Sequence, residues 1–215
     1  MSGVTRCAAT LAMVLLLLPA SGYAQSLTLG TGEISQAPKD FEPALTGNGS
    51  PGRWEIVADP TTGRGKVLAQ LSTDASSYRF PLLIYTQSVM ANVEAKIRFK
   101  AISGKVDQAA GLAVRLIDRN NYYVVRANAL ENNVRLYRMV AGQREQFAGA
   151  NIKVTAGEWH TLTLRARGQE FAVSYDGKEL FTARDDRFAS PGKVALWTKA
   201  DSVTRFDLLD IRSLD

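Results

Sequence analysis

Cysteine and histidine are almost missing from this sequence: Cys7 and His160 each occur once in 215 residues. Cys7 precedes the apolar run "LAMVLLLLPA", so the chain beyond that run has no thiol. This excludes disulfides and thiolate catalysis there. A single histidine excludes any site built on several imidazole ligands. No longer apolar run follows the first one, and none is long enough to span a bilayer. Amphipathic helical periodicity of more than three turns is also missing.

The first 24 residues read as an export signal. Arg6 supplies the positive start, "LAMVLLLLPA" the apolar centre, and Gly22 and Ala24 the small residues at a cleavage site. Cleavage is expected after Ala24, with a periplasmic or secreted destination. The cysteine stands on the wrong side of the apolar run for a lipid anchor. The formal charge of +5, less Arg6, is a modest excess. It permits an acidic partner and is too weak to argue for nucleic acid, whose recognition modules are also missing. Oligomeric state is left open.

Residues 25–52 are rich in Gly, Pro, Ser and Thr and read as a loop-rich segment, with "TGNGSPG" at its end. From Arg53 to residue 215 the chain reads as one domain of short alternating runs, about ten residues apart, separated by Gly, Asn, Asp and Pro. This rhythm predicts an all-β, two-sheet antiparallel sandwich or barrel. In "ANVEAKIRFK", Val93, Ala95, Ile97 and Phe99 alternate with Glu94, Lys96, Arg98 and Lys100, giving one core face and one wet face. Asp176-Gly177 lies between two runs and predicts a tight hairpin.

The segment "NNYYVVRANALENNVRLYRMV" predicts a hairpin closed near Leu130-Glu131, with Arg126 opposite Arg135 and Val124 opposite Tyr137. Tyr123, Val125, Ala127, Val134 and Leu136 then share the core face. Tyr122, Val124, Arg126, Asn128, Asn133, Arg135 and Tyr137 share the other. Turns near Arg119-Asn120 and at Ala141-Gly142 add Gly111, Ala113, Arg115 and Arg144 to that second face, and set Arg138 against Glu145. Small Gly111 and Ala113 would leave room above the sheet. Arginines directly opposed across strands are unfavourable. Arg126 and Arg135 therefore need an acidic partner, a tyrosine face or a bound anion. Arg and Asn donors beside tyrosine rings suit a glycan or oligosaccharide, including an acidic one. On this reading Arg126→Ala or Arg135→Ala weakens glycan retention without unfolding the domain. The reading stands only if the face is open; a plugged face removes most of its support.

"GKVALWTKADSVTRFDLLDI", of the form G-x-V-x-L-W-x-x-x-D-S-x-x-x-F-D, resembles the closing segment of concanavalin A-like lectin/glucanase sandwiches. "EWHTLTLRARGQEFAVSYDGKEL" is similar to the strands before it. The resemblance runs from Trp54 to Ile211. It implies a jelly roll of two curved antiparallel sheets with ligands on the concave one, and adds Trp197 and Lys199 to the edge of the candidate site. The superfamily includes laminin-G-like binding modules, family-sixteen glycoside hydrolases and 3-keto-disaccharide hydrolase domains. The paired carboxylates of a retaining hydrolase, written E-x-D-x-x-E in family sixteen, are not found. The Gly-x-Glu-x-Gln strand of the keto-disaccharide group is replaced by "GLAVRLIDRNNYY". His160 alternates with Leu162 and Leu164 and reads as a core residue. No cofactor is called for, and no catalytic residue is assigned. A structural calcium would have to use Asp118, Asp201 or Asp207. Three functions remain: a non-catalytic glycan-binding module, an enzyme on modified disaccharides, and a protein-interaction sandwich without a sugar site. Glycan retention, turnover of a 3-keto-glycoside and capture of a protein partner separate them.

Overall fold

The computed structural model describes residues 23–215. Cys7 and nearly all of the expected export signal lie outside the described residues. The first strands are β1 (Ala24–Thr28), β2 (Phe41–Gly47), β3 (Trp54–Ala58), β4 (Lys66–Gln70) and β5 (Arg79–Met90). They are followed by β6 (Val93–Ser103), β7 (Ala109–Asp118), β8 (Asn121–Asn128), β9 (Asn133–Val140) and β10 (Gln143–Asn151). The last are β11 (His160–Arg167), β12 (Glu170–Tyr175), β13 (Lys178–Arg184), β14 (Gly192–Trp197) and β15 (Val203–Ser213). No helix forms among the described residues.

The strands make two antiparallel sheets. One has the order β13-β12-β11-β6-β15-β4-β3, with β1 added on β15, and the other β10-β9-β8-β7-β14-β5-β2. The core between them takes the inward residues that alternation singles out: Val93, Ala95, Ile97 and Phe99 from β6, Leu162 and Leu164 from β11, Tyr123 and Val125 from β8, and Val134 and Leu136 from β9. The outward residues of β6 are charged and lie in cross-strand ion pairs, such as Lys96 with Asp210 at 2.7 Å. Asp176 and Gly177 close the β12–β13 hairpin with φ of 48° and 78°, the two positive values that a tight turn between right-twisted strands requires. Asp176 also fixes the ring of His160, which lies 2.8 Å from its carboxylate, faces Thr155 O and stacks on Tyr175. His160 is thus a buried structural residue.

Residues 25–52 are not only loop. β1 pairs with β15 from Ala24↔Arg212 to Thr28↔Leu208, and β2 pairs with β5 from Phe41↔Tyr85 to Gly47↔Arg79. Sequence pattern misses both because neither alternates cleanly. β2 contains Pro43, which an edge strand tolerates since one side of it needs no donor. A second buried group that pattern reading passes over is Arg79. Its guanidinium donates to Ser50 O at 2.6 Å, Pro51 O at 3.0 Å, Ala200 O at 2.5 Å and Ser72 Oγ at 2.8 Å, tying three loops to the start of β5.

Candidate functional site

The expected register of the seven-stranded sheet holds. Arg126 faces Arg135, Val124 faces Tyr137, Gly111 faces Arg126, and Arg138 faces Glu145 with an ion pair of 2.8 Å. The face carrying Arg126 and Arg135, however, is closed. Phe80, Tyr122, Val124, Tyr137, Met139 and Trp197 form a second apolar cluster on it, and Tyr122 and Trp197 are 0% exposed. The room expected above Gly111 is filled by Trp197: a Cβ added to Gly111 would meet Trp197 Cε3 at 2.8 Å. The indole stacks on Phe80 with ring centroids 5.3 Å apart. The two ends of the sheet are tied across this face. The Tyr78 hydroxyl donates to Gly142 O at 2.9 Å and accepts the Arg144 N–H at 2.8 Å. From residues 25–52, Ala44 packs against this cluster and the Thr46 hydroxyl reaches in, 2.9 Å from the Tyr122 hydroxyl and also bonded to Arg119 O. Burial raises the Tyr122 phenol well above its ordinary value, outweighing the Thr46 contact.

The arginines on this face already have their partners. Arg126 is 3% exposed. It pairs with Glu131 at 2.6 Å, donates to Asn133 Oδ1 and to Tyr137 Oη at 3.1 Å, and lies over the Tyr137 ring. The hairpin turn itself therefore supplies the counter-charge. Arg135 turns toward the sheet edge and donates to Asn151 Oδ1 at 2.6 Å. Arg144 lies over both Tyr137 and Phe80, 4.5 and 4.9 Å from the ring centroids. Arg126→Ala would therefore remove a buried, paired cation and cost stability, contrary to the expectation from sequence.

Arg115 leaves the face altogether. It has a φ of 48° at an irregularity between Val114 and Asp118. A bulge adds one residue to one strand and reverses parity beyond it. Leu116 consequently joins the second apolar cluster. Arg115 points the other way and donates to Ala91 O, Phe188 O and Gly168 O at 2.6, 2.9 and 2.7 Å. It is a structural clamp, not a member of the candidate site.

At the β8–β9 turn the polar residues do converge. Asn128 Nδ2 donates to Asp107 at 2.6 Å, and Lys199 forms an ion pair with the same carboxylate. Asn128 Oδ1 accepts the backbone N–H groups of Leu130 and Glu131. Asn133 Nδ2 donates to Glu131 at 3.1 Å. Arg126, Asn128, Tyr137 and Lys199 are thus gathered with Asn133, which the register places on the same face, and with Asp107 and Glu131, which sequence reasoning did not select. Burial pushes Asp107 above its ordinary value against the pull of Lys199. Burial also acts upward on Glu131, but Asn133 and Arg126 outweigh it and hold that carboxyl low. Asp107 and Asn128 are fully buried, whereas the Glu131 side chain is 42% exposed and that of Lys199 15%. The result is a rim of one acceptor and one donor, backed by an ordered network.

The calcium candidates do not converge. Asp118 accepts Asn120 N–H and bonds Asn121, Asp207 pairs with Arg98, and Asp201 accepts the backbone N–H groups of Lys105, Val106 and Asp107. No group of three His, Cys, Asp or Glu suited to a metal occurs among the described residues. Burial raises the Asp201 pKa, but its three backbone donors prevail and hold it below the ordinary value. A carboxylate held low in the folded state stabilises fully above its unfolded value, about pH 4, and loses that contribution as pH falls through the folded value. Asp201→Asn is therefore expected to cost about 2–3 kcal/mol at pH 7 and to flatten the acid limb of stability. Urea unfolding from pH 7 to pH 2.5 checks this; an unchanged acid limb contradicts it.

Known folds and sequences place this architecture. The chain is similar to the carbohydrate-binding module CBM66 from Bacillus subtilis, at 18% identity over 77% of this chain and 91% of that one, with a TM-score of 0.61. It is similar to a Bacillus licheniformis β-glucanase at 11% identity over 92% and 100%, with a TM-score of 0.60. A Bacillus subtilis protein of galectin-like fold matches at 11% identity over 81% and 90%, with a TM-score of 0.61. At these identities the likeness establishes the fold, a two-sheet jelly roll of the concanavalin A-like type. No curated protein sequence matches the chain. The family model of the galactocerebrosidase C-terminal lectin domain matches residues 82–214, and the chain belongs to that family.

Proposed function

We propose that the chain is an exported, non-catalytic lectin-like module that binds a glycan at the rim formed by Glu131 and Lys199. The observation that carries this reading is the ordered network behind that rim. Arg126 and Asn133 hold the Glu131 carboxylate in place, and Asp107 with Asn128 holds the Lys199 ammonium. A sugar hydroxyl is both donor and acceptor, so adjacent hydroxyls can satisfy Glu131 and Lys199 together. Holding both groups before the ligand arrives lowers the ordering cost of binding. The lectin-domain family and the likeness to a carbohydrate-binding module support the same substance class.

A hydrolytic role fits this site poorly. A retaining glycosidase needs two carboxylates about 5 Å apart flanking the scissile bond. Asp107 lies buried beneath Lys199 and Asn128, away from any substrate. On β7 the positions facing the closed cluster are Ala109, Gly111, Ala113 and Leu116, none of which can transfer a proton.

The test is retention on a broad glycan panel by the wild-type chain and by Glu131→Gln and Lys199→Gln, which keep the polar shape and remove the charge. Each variant, checked for folding by circular dichroism, is expected to bind on the order of tenfold more weakly, the worth of one charge-assisted hydrogen bond. No retained glycan across the panel, or retention unchanged in both variants, rejects the rim. Turnover of a 3-keto-glycoside by the wild-type chain rejects the non-catalytic role.

A further inference from the structure

The outer face of the eight-stranded sheet is a lattice of ion pairs with one flaw. Lys96 pairs with Asp210 at 2.7 Å, Lys100 and Arg205 with Asp59 at 2.9 and 2.8 Å, and Arg98 with Asp207. On β11, Arg165 and Arg167 are exposed on this face, and neither has a carboxylate within 4.0 Å or a side-chain hydrogen bond among the described residues. Both have an acidic neighbour in register, and in both cases another arginine holds it. Arg165 stands opposite Glu94, which pairs with Arg212 at 2.9 Å. Arg167 stands opposite Glu170, which pairs with Arg184 at 3.1 Å.

The residue between these groups is small. Ala172 on β12 lies beside Arg165 on one side and Thr182 on the other. A hollow of about 570 Å³ opens there, lined by Arg165, Arg167, Arg184, Thr182, Glu170 and Glu179 among others. We propose that this hollow is a second binding site, distinct from the Glu131–Lys199 rim, for the anionic group of an acidic saccharide.

The composition of the hollow selects that chemistry. Residues i and i+2 of a strand point the same way about 7 Å apart. Two guanidinium forks at that spacing can hold one carboxylate or sulfate between them, or an acid group on one and a ring hydroxyl on the other. Thr182 adds a hydroxyl. Glu170 and Glu179 accept hydrogen bonds from sugar hydroxyls, which a polyphosphate does not offer. The site is exposed, so its attraction falls with ionic strength.

Isothermal titration at low salt with an oligogalacturonate, a sulfated galactan, a neutral galactan and inorganic polyphosphate tests this. The carboxylated chain, the sulfated chain or both are expected to bind, and which of them does identifies the acid group. Arg165→Ala/Arg167→Ala is expected to weaken that binding at least about tenfold. Ala172→Leu, which fills the hollow and alters no charge, is expected to weaken it equally. Arg119→Ala, an exposed arginine in the β7–β8 turn, should leave it unchanged. Neutral-glycan retention at the rim should survive in every hollow variant, so loss of one site does not imply loss of the other. Three results overturn the proposal: no binding of either acidic chain, equal binding of polyphosphate, or full binding by Ala172→Leu.

Discussion

Arg115→Ala is expected to lower the unfolding free energy by about 3–5 kcal/mol, the range seen when one partner of a buried charged network is removed. The side chain is 1% exposed and satisfies three carbonyls from three separate segments: Ala91 after β5, Gly168 after β11 and Phe188 before β14. Alanine would leave all three without a donor, at about 1–3 kcal/mol for each that water cannot reach, and would open a cavity against Phe171, over which the guanidinium now lies. For a domain of this size about 2–4 °C is lost per kcal/mol, so Tm should fall by roughly 10 °C. Arg115→Lys should recover only part of the loss, because one ammonium cannot reproduce the planar fork that reaches three acceptors. Differential scanning calorimetry of the two variants decides the matter. A shift under about 2 °C for alanine would mean that Arg115 is a surface residue, as the alternation of β7 suggests.

Trp197→Ala is expected to destabilise by about 3–5 kcal/mol, the usual cost of deleting a large aromatic from a packed interior. A tryptophan on a ligand platform behaves differently: its loss weakens binding and leaves folding intact. Here the indole is 0% exposed, stacks on Phe80 and occupies the space that Gly111 leaves free. Gly111→Ala should act through the same contact, since its new Cβ would press on the indole. Urea unfolding of Trp197→Ala beside its glycan retention separates the roles. Loss of binding with unchanged stability contradicts the closed face; a large stability loss with rim binding kept in the folded fraction supports it.

Much of this architecture is written in local pattern. The alternation in β6, the three turns of the β7–β10 meander and the Arg126↔Arg135 register follow from period-two hydrophobicity and turn residues alone. The need for compensation at Arg126 is legible too, and its source, Glu131, lies five residues away in the same hairpin. Three features are not legible, each for a physical reason. The bulge at Arg115, where β7 gains one residue against β14, has no glycine to mark it, and reverses the side chains beyond it. The closure of the face depends on Tyr78 meeting Gly142 and Arg144 across more than sixty residues of sequence. Whether an arginine face is open depends on such contacts and leaves no trace in alternation. The free arginines could have been found: in "TLTLRAR" the same alternation that buries Leu162 and Leu164 sends Arg165 and Arg167 outward.

The closed face and the two sites outside it make one joint claim, that ligands meet this domain at its rim and outer sheet and never over Trp197. ¹⁵N-resolved NMR titration with the glycans retained in binding assays tests it most directly, because the indole N–H of Trp197 reports from inside the closed cluster. The expected result is chemical-shift change at Glu131 and Lys199 for neutral chains and at Arg165, Arg167 and Ala172 for acidic ones, with the Trp197 indole signal unmoved. A saturable shift of that indole, with the rim and the outer hollow silent, would contradict the account.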